Sequence, residues 1–299
     1  MTAGPLITLT TDFGRQDPFV GIVKGVILGI CRAAVLVDLT HDLPPQDVRA
    51  AALALEAAVP FFPPGTVHLA VVDPGVGGPR RPLGVAAERQ LFVGPDNGLF
   101  SFLYDRPGWR AVTLSEPAYR LPEVSRTFHA RDLFAPAAAH LALGVLLEDF
   151  GEPAGDPVRL PWPRPVREGD ELAGEVVYAD RFGNLLTNLR ETDLAPLLGQ
   201  GAVEVWVAGR TIQGLSTFYG ERAPGEPGAL IGSAGRLEIF VCRGDAARAL
   251  GAGPGAAVRV RATRSSSSRG PSRRGPRPPG RSPSSRPRSP SSGTRKGSR

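Results

Sequence analysis

Val67-His68-Leu69-Ala70-Val71-Val72-Asp73-Pro74-Gly75-Val76-Gly77-Gly78-Pro79-Arg80-Arg81 is the stretch whose reading decides the fold. A short apolar run bounded by turn residues is a buried strand. Here it ends on a carboxylate, a Pro/Gly turn and two cations, which puts Asp73 and Arg80 on one loop at a strand's C-terminal edge. In open α/β sheets that edge is where ligands bind. Asp-Pro-Gly is equally a common type I or II turn, and paired arginines equally suit a solvated loop end. These residues by themselves support both readings.

The segments on either side repeat the pattern. Leu6 to Thr11 is β-rich and stops at Asp12-Phe13-Gly14, and Pro18 opens a helix to about Ile30. Val35 to Leu39 is a second strand closing on Thr40-His41-Asp42, followed by helical spacing from Gln46 to Ala58. Leu91-Phe92-Val93 forms a further strand ahead of Gly94-Pro95-Asp96-Asn97-Gly98. Strands alternating with helices predict an α/β domain over residues 1–155 with a Rossmann-like, mostly parallel sheet. Ser125 to Asp132 leads into an alanine-rich helix over Leu133 to Leu147, softened at Pro136. Either Thr127 or Asp132 caps it, leaving His129 at the helix's positive end.

The composition shifts between Gly151 and Gly169, which hold five prolines; residues 156–169 read as the interdomain linker. Residues 170–263 carry short alternating strands and predict a smaller all-β barrel. Within them, Asp180-Arg181-Phe182-Gly183-Asn184 reads as a hairpin with Gly183-Asn184 left-handed, or as a site for a zwitterion and a heterocycle. Gly232-Ser233-Ala234-Gly235 reads as an ordinary turn, or as backbone N–H groups offered to a carboxylate.

The chain has 299 residues, 41% of them hydrophobic, enough for real cores. Its +6 formal charge is misleading, because residues 264–299 hold ten Arg and one Lys and no acid; without those eleven, residues 1–263 stand at −5. The folded part therefore gives no argument for nucleic-acid binding. The 264–299 tail, almost wholly Ser, Arg, Pro and Gly, is expected to be disordered. It reads as a contact for RNA or another anionic surface, the one place where nucleic acid could bind, or, preferred, as a poorly selected extension such as a frame change would produce.

Cys31 and Cys242 lack a metal-ligand spacing and read as reduced, small hydrophobes of a cytoplasmic protein. The N-terminus has no signal-peptide pattern. Phe19 to Cys31 is too short to span a membrane and carries Lys24; Gly21, Gly25 and Gly29 are expected to let this helix pack closely on the sheet. No phosphate loop, nucleophile elbow or H-E-x-x-H pair occurs, and His41, His68, His129 and His140 form no ligand set, so no metal is expected. His68 belongs to a strand and His140 to a helix face. Asp12, Asp17, Asp73, Arg80 and His129 remain, all on loops, where function concentrates.

Together these stretches resemble the S-adenosyl-L-methionine (SAM) hydroxide adenosyltransferase family. The matching segments are T-T-D-F-G at 10–14, V-D-L-T-H at 37–41, V-V-D-P-G-V-G at 71–77 with R-R at 80–81, F-V-G-P-D-N-G-L at 92–99, T-F-H-A-R-D at 127–132, D-R-F-G-N at 180–184 and G-S-A-G-R-L-E-I at 232–239. The resemblance implies SAM hydrolysis to adenosine and methionine without a cofactor, in a homotrimer whose sites lie between one subunit's N-terminal and its neighbour's C-terminal domain. It implies Asp73, Arg80 and His129 as the catalytic set, with either Asp73 or His129 as the base. It further implies Asp12 at the ribose diol, Asp180 and Ser233 around the methionine end, and Phe182 and Asn184 at the adenine; Asp17 is counted with the substrate-binding residues. Halide-using relatives have Tyr at the Asp73 position and lack this His, so water is expected as the nucleophile. Gly78 and Ala130 depart from the family pattern, Ala130 adding a methyl beside the nucleophile's place. The alternatives are a SAM- or adenosine-binding protein with little turnover, or a halogenase-like enzyme.

Overall fold

The first five segments fold as their periodicity requires: β1 (Leu6–Thr11), α1 (Phe19–Ile30), β2 (Val35–Thr40), α2 (Val48–Ala58) and β3 (Val67–Val71). They are seen in a computed structural model whose described residues are 4–263; the expected 264–299 tail lies outside them. β4 (Pro82–Ala87), β5 (Gln90–Pro95) and β6 (Arg110–Thr113) complete a sheet of order β2-β1-β3-β5-β4-β6. β1 runs parallel to β2 and β3, and β3 parallel to β5, whereas β4 is antiparallel to both β5 and β6. The sheet is therefore mixed, with five of its six strands sharing one direction and β4 alone running against them. The reversed strand β4 escapes a sequence reading because the β4–β5 hairpin turns at Glu88-Arg89, with φ of 51° and 65°. Primed turns normally announce themselves with Gly or Asn, and this one does not.

β3 is buried on both faces. Val67, Leu69 and Val71 pack with Val23 and Ile27 of α1, and Ala70 lies on the other side with Ala50, Ala51 and Leu55 of α2. At about 1.5–3 kcal/mol for each fully buried Val or Leu, this strand anchors both layers and fixes where its C-terminal loop emerges. Asp47 caps α2, its Oδ1 accepting from Ala50 N at 2.9 Å.

Two helical expectations change. Gly21, Gly25 and Gly29 of α1 meet nothing within 4 Å of an added Cβ. The inward stripe is Val23 and Ile27, one turn apart, so the glycines lie on the outward side. Beyond β6, the Leu133–Leu147 helix is instead a π-helical turn over Ala130–Phe134 followed by α3 (Ala135–Ala142). Pro136 sits in the first turn of α3, where its missing N–H costs nothing. Neither Thr127 nor Asp132 is the cap: His129 holds that position without a side-chain cap bond, and the buried Asp132 accepts from Ser125 N at 2.8 Å.

His68 lies inside β3, fully buried, its ring stacked on Phe92 at 4.9 Å. Thr8 Oγ1 lies 2.7 Å from Nδ1 and Gln90 Oε1 3.1 Å from Nε2. Burial pulls its pKa from 6.5 to about 4. The unfolded chain binds this proton first as pH falls, so the stabilisation is complete above 6.5 and lost on approach to 4, about 3 kcal/mol at 1.36 kcal/mol per pH unit. Urea midpoints at pH 7 and pH 4.5 should differ accordingly, and His68→Gln should flatten that difference whatever its absolute stability; an unchanged slope would remove His68 as the acid-labile group.

The remaining strands are β7 (Val166–Glu168), β8 (Glu171–Ala179), β9 (Leu185–Arg190), β10 (Val203–Val207), β11 (Arg210–Gln213), β12 (Pro227–Ile231), β13 (Arg236–Val241) and β14 (Ala257–Ala262). They form an antiparallel sheet of order β11-β10-β14-β8-β9-β13-β12, with β7 on β8. Ser216 N donates to Ala229 O at 2.7 Å, drawing the run after β11 onto β12 so that the sheet nearly closes into a barrel. Two short helices also occur here, α4 (Glu191–Leu198) and α5 (Ala246–Leu250), so this half is not purely β. Cys31 and Cys242 are both buried free thiols. Among the described residues no helix is long and apolar enough to cross a membrane.

The proline-rich run between the halves is bound tightly. Ala154 N donates to Ala111 O, Val158 N to Asp96 Oδ1 and Leu160 N to Ser101 Oγ. Across the junction, Glu56 of α2 takes Arg190 Nη2 at 2.5 Å and Arg236 Nη2 at 2.7 Å. Arg236 is almost wholly buried and lies over the Trp162 ring.

Candidate functional site

The C-terminal ends of β1 and β3 open into a cleft of about 570 Å³. Asp12 stands on its wall from β1 and Asp73 from β3, as expected for a strand's carboxyl edge. His129 and Ala130 enter from the π-helical turn, and Phe13, Phe19 and Phe128 supply an apolar wall. These three rings meet edge to face with centroids 5.4–6.2 Å apart.

Arg80 joins the other two members of its set. Its Nε donates to both Asp73 oxygens at 3.0 Å, and its Nη2 donates to Oδ2 at 2.5 Å and to His129 Nδ1 at 2.7 Å. The guanidinium lies over the Phe134 ring at 5.2 Å, and the Asp73 and Arg80 side chains are 5% and 10% exposed. A charge pair this dry acts more strongly than it would in water. Arg81 turns away, its Nε on Asp96 and its Nη1 on Asp156 of the linking run. The loop takes this path because Gly77 has φ 76° and lies so close to Arg126 O that a Cβ would meet it at 2.1 Å. That close approach sets the Asp73–Arg80 loop against the segment carrying His129.

Burial, and then the Arg80 cation, hold His129 below the ordinary 6.5, so the ring is neutral near pH 7. An arginine only donates, so Nδ1 is the acceptor and the ring proton sits on Nε2. The Ser125 backbone is a further hydrogen-bond partner of this ring. Asp73 offers about four lone-pair directions, of which Arg80 takes three.

Asp12 Oδ2 accepts from Gln46 N at 2.8 Å, one residue ahead of the α2 cap. Asp17 is exposed on the turn before Pro18 and does not line the cleft. Nor do Asp180, Phe182, Asn184 and Ser233 of the same chain. Asp180 closes its own hairpin, accepting from Phe182 N, Asn184 N and Asn184 Nδ2. Gly183 alone is left-handed there, with φ 81°. Phe182 projects with 77% exposure, and Ser233 is exposed on the β12–β13 turn. Glu238 of β13 accepts from Tyr219 Oη at 2.6 Å; burial and the Asp180 charge push its carboxyl above the usual range against that hydrogen bond.

Sequence reasoning passed over Gln46 and the phenylalanine wall. Phe13 and Phe128 carried a signal, since each adjoins a singled-out polar residue, in T-T-D-F-G and T-F-H-A-R-D; Gln46 acts only through its backbone and carried none.

Residues 7–151 match the SAM hydroxide adenosyltransferase N-terminal domain and residues 174–259 its C-terminal domain. An (R)-S-adenosyl-L-methionine hydrolase of Thermus thermophilus is 45% identical, with 84% of this chain and 97% of that protein aligned. One from Salinispora tropica is 43% identical over 88% of this chain and all of its own length. A fluorinase from an Actinoplanes species is 31% identical over 64% of this chain. The crystal structure of a conserved protein from Thermotoga maritima, 35% identical, superposes with a TM-score of 0.79 over 85% of this chain and 99% of its own. With both domain models matched in order and relatives aligned along nearly their full length, the chain belongs to the SAM hydroxide adenosyltransferase family.

Proposed function

We propose that the protein hydrolyses S-adenosyl-L-methionine, water attacking the ribose C5′ as the C5′–sulfur bond breaks. The products are adenosine, neutral methionine and one proton. The observation that carries this reading is the Asp73–Arg80–His129 set at the ends of two strands, its Asp73–Arg80 pair dry, in a chain closely related to proteins named as hydrolases of this substrate. The sulfonium is already an excellent leaving group, so the chemistry asks for no metal or cofactor. Water is the weak partner and needs orientation and a proton acceptor.

Asp73 is the acceptor in this proposal. His129 is poorly placed for that task, because Arg80 occupies Nδ1 and the proton is on Nε2; its part is to hold Arg80, which in turn aims Asp73 and stabilises developing hydroxide character. Asp12 takes the ribose diol at the ligand-binding edge of a Rossmann-like N-terminal unit. The phenylalanine wall excludes water from the departing sulfur, where positive charge disappears.

Asp180, Phe182, Asn184 and Ser233 take the methionine and adenine ends from a neighbouring subunit of a homotrimer, the division between 1–155 and 170–263 setting the two sides of each site. Two features support this: the four residues stand outside their own chain's cleft with Phe182 exposed, and α1 turns Phe19, Ile22 and Leu28 outward. A reducing, cytoplasmic setting suits the two free thiols.

Incubation with the separated (R) and (S) sulfonium epimers in oxygen-18 water tests the reaction. Label is expected in the adenosine 5′-hydroxyl with at least one epimer, and added chloride or fluoride should give no halo-adenosine. Binding without adenosine would leave a SAM-binding protein, and unlabelled adenosine would exclude water attack.

A further inference from the structure

The V-D-L-T-H segment supplies a buried histidine that the reaction above does not use. His41 is 2% exposed. Its Nδ1 lies 2.8 Å from Thr11 Oγ1, and its Nε2 approaches Asp38 Oδ1 at 3.1 Å in a bent contact. Asp38 Oδ2 in turn accepts from Lys24 Nζ at 2.7 Å. Burial works against the Asp38 charge, but the bond from Lys24 and the close approach of His41 outweigh it and hold the carboxyl below its usual range.

The proton directions follow from who can donate. A carboxylate facing Nε2 calls for a proton there, so in the neutral ring Nδ1 is the acceptor and the Thr11 hydroxyl donates to it. That leaves Thr11 Oγ1 free to accept, and it does, from Phe13 N at 3.3 Å. The His41 backbone reaches the same turn, its carbonyl accepting from Gly14 N at 2.8 Å. One residue thus grips both sides of Asp12: by its ring through Thr11 and Phe13, by its carbonyl at Gly14. From the far side Gln46 N holds the Asp12 carboxylate itself.

We propose that His41 is a positioning residue, backed by Asp38 and Lys24, that fixes the Thr11–Gly14 turn so that Asp12 and the Phe13 ring stand correctly in the cleft. This rests on the proposed function only in taking the ligand at Asp12 to be a ribose. Such a residue acts on binding more than on the chemical step, because within its chain only the Phe13 ring, one of the three rings of the apolar wall, borders the reacting centre.

The two amide residues separate its bonds. Asparagine carries its amide at the level of Nδ1 and can still accept from Thr11, whereas glutamine reaches the level of Nε2 and serves only Asp38. In His41→Gln the affinity for adenosine, measured by calorimetry, should fall about tenfold, the scale of one lost buried hydrogen bond. The KM for SAM should rise by a similar factor, with kcat changed less. His41→Asn should restore both to within about threefold. Wild-type preference for adenosine over 2′,3′-dideoxyadenosine should vanish in His41→Gln. Amide exchange at Phe13 and Gly14 should quicken about tenfold in His41→Gln and stay near wild type in His41→Asn. Unchanged exchange together with unchanged adenosine affinity in His41→Gln overturns the proposal. Faster exchange with no discrimination between the nucleosides in the wild type keeps His41 as the holder of the turn and sinks the ribose assignment instead.

Discussion

Asp73→Asn is expected to fold, to bind SAM, and to form adenosine about 10²–10⁴ times more slowly than the native protein. The substitution keeps the shape and removes the charge. Arg80 would then offer its Nε and Nη2 to an amide that has one oxygen in place of two and an NH₂ that repels the guanidinium. The water would lose its proton acceptor, and the guanidinium its means of aiming it. Because the loss falls on the reacting water and not on the nucleoside or amino-acid ends, kcat should carry it and KM should move little. His129→Gln is the comparison: as the holder of Arg80, His129 should cost less than Asp73 when replaced. Adenosine release followed by chromatography reads both, and an Asp73→Asn rate above a tenth of native would transfer the base role elsewhere.

Glu56→Ala should lower stability by about 3–5 kcal/mol, the cost of leaving a buried cation without its partner. Glu56 is the shared acceptor of Arg190 and Arg236, and the Arg236 side chain is only 4% exposed. Its two guanidinium bonds outweigh the burial that opposes its charge and keep the carboxyl below the usual range. Against a total stability of about 5–15 kcal/mol, this is a large share, and it falls at the junction of the two halves. Denaturant unfolding should show it as a lower midpoint. Replacing Glu56 and Arg236 together with methionine should recover most of the loss, since an apolar pair has no charge to strand. A single-variant loss below about 1 kcal/mol would mean that the linking run alone, through bonds such as Asn188 Nδ2 to Pro163 O, holds the halves together.

The parts of the fold legible in the sequence are those with a strong local period. β1, α1, β2, α2 and β3 each show such a pattern, α1 opening at Pro18 and α2 read from the helical spacing of Gln46 to Ala58. The β4–β5 hairpin was not legible because Glu88-Arg89 holds its turn by tertiary pairing, against local preference. The helix entered at His129 was misjudged because a π-helical turn has no sequence rule comparable to a cap, and Asp132, which looks like one, is spent on Ser125 N and Arg131.

For the site, the residues themselves placed Asp12 and Asp73 at strand ends, Arg80 on the Asp73 loop and His129 at a helix entry, and the family resemblance supplied their joint role. Choosing Arg80 over Arg81 physically requires the Gly77–Arg126 approach, a contact across 49 positions that no local pattern records. The glycine stripe of α1 illustrates the opposite error: spacing revealed a face but not which way it points.

α2 has one further consequence. The residue just before its cap holds Asp12 and its last turn holds the cations of the β half, so two distant regions are tied to the ends of a single eleven-residue rod. Each residue of an α-helix turns the chain by about 100° and advances it about 1.5 Å. Losing or gaining one residue between Gln46 and Glu56 would swing the carboxylate away from both arginines or drag the start of the rod off Asp12. Side chains along α2 are open to exchange within their packing limits, but its length is not. Among natural and engineered relatives, insertions should therefore accumulate in the linking runs and spare this helix.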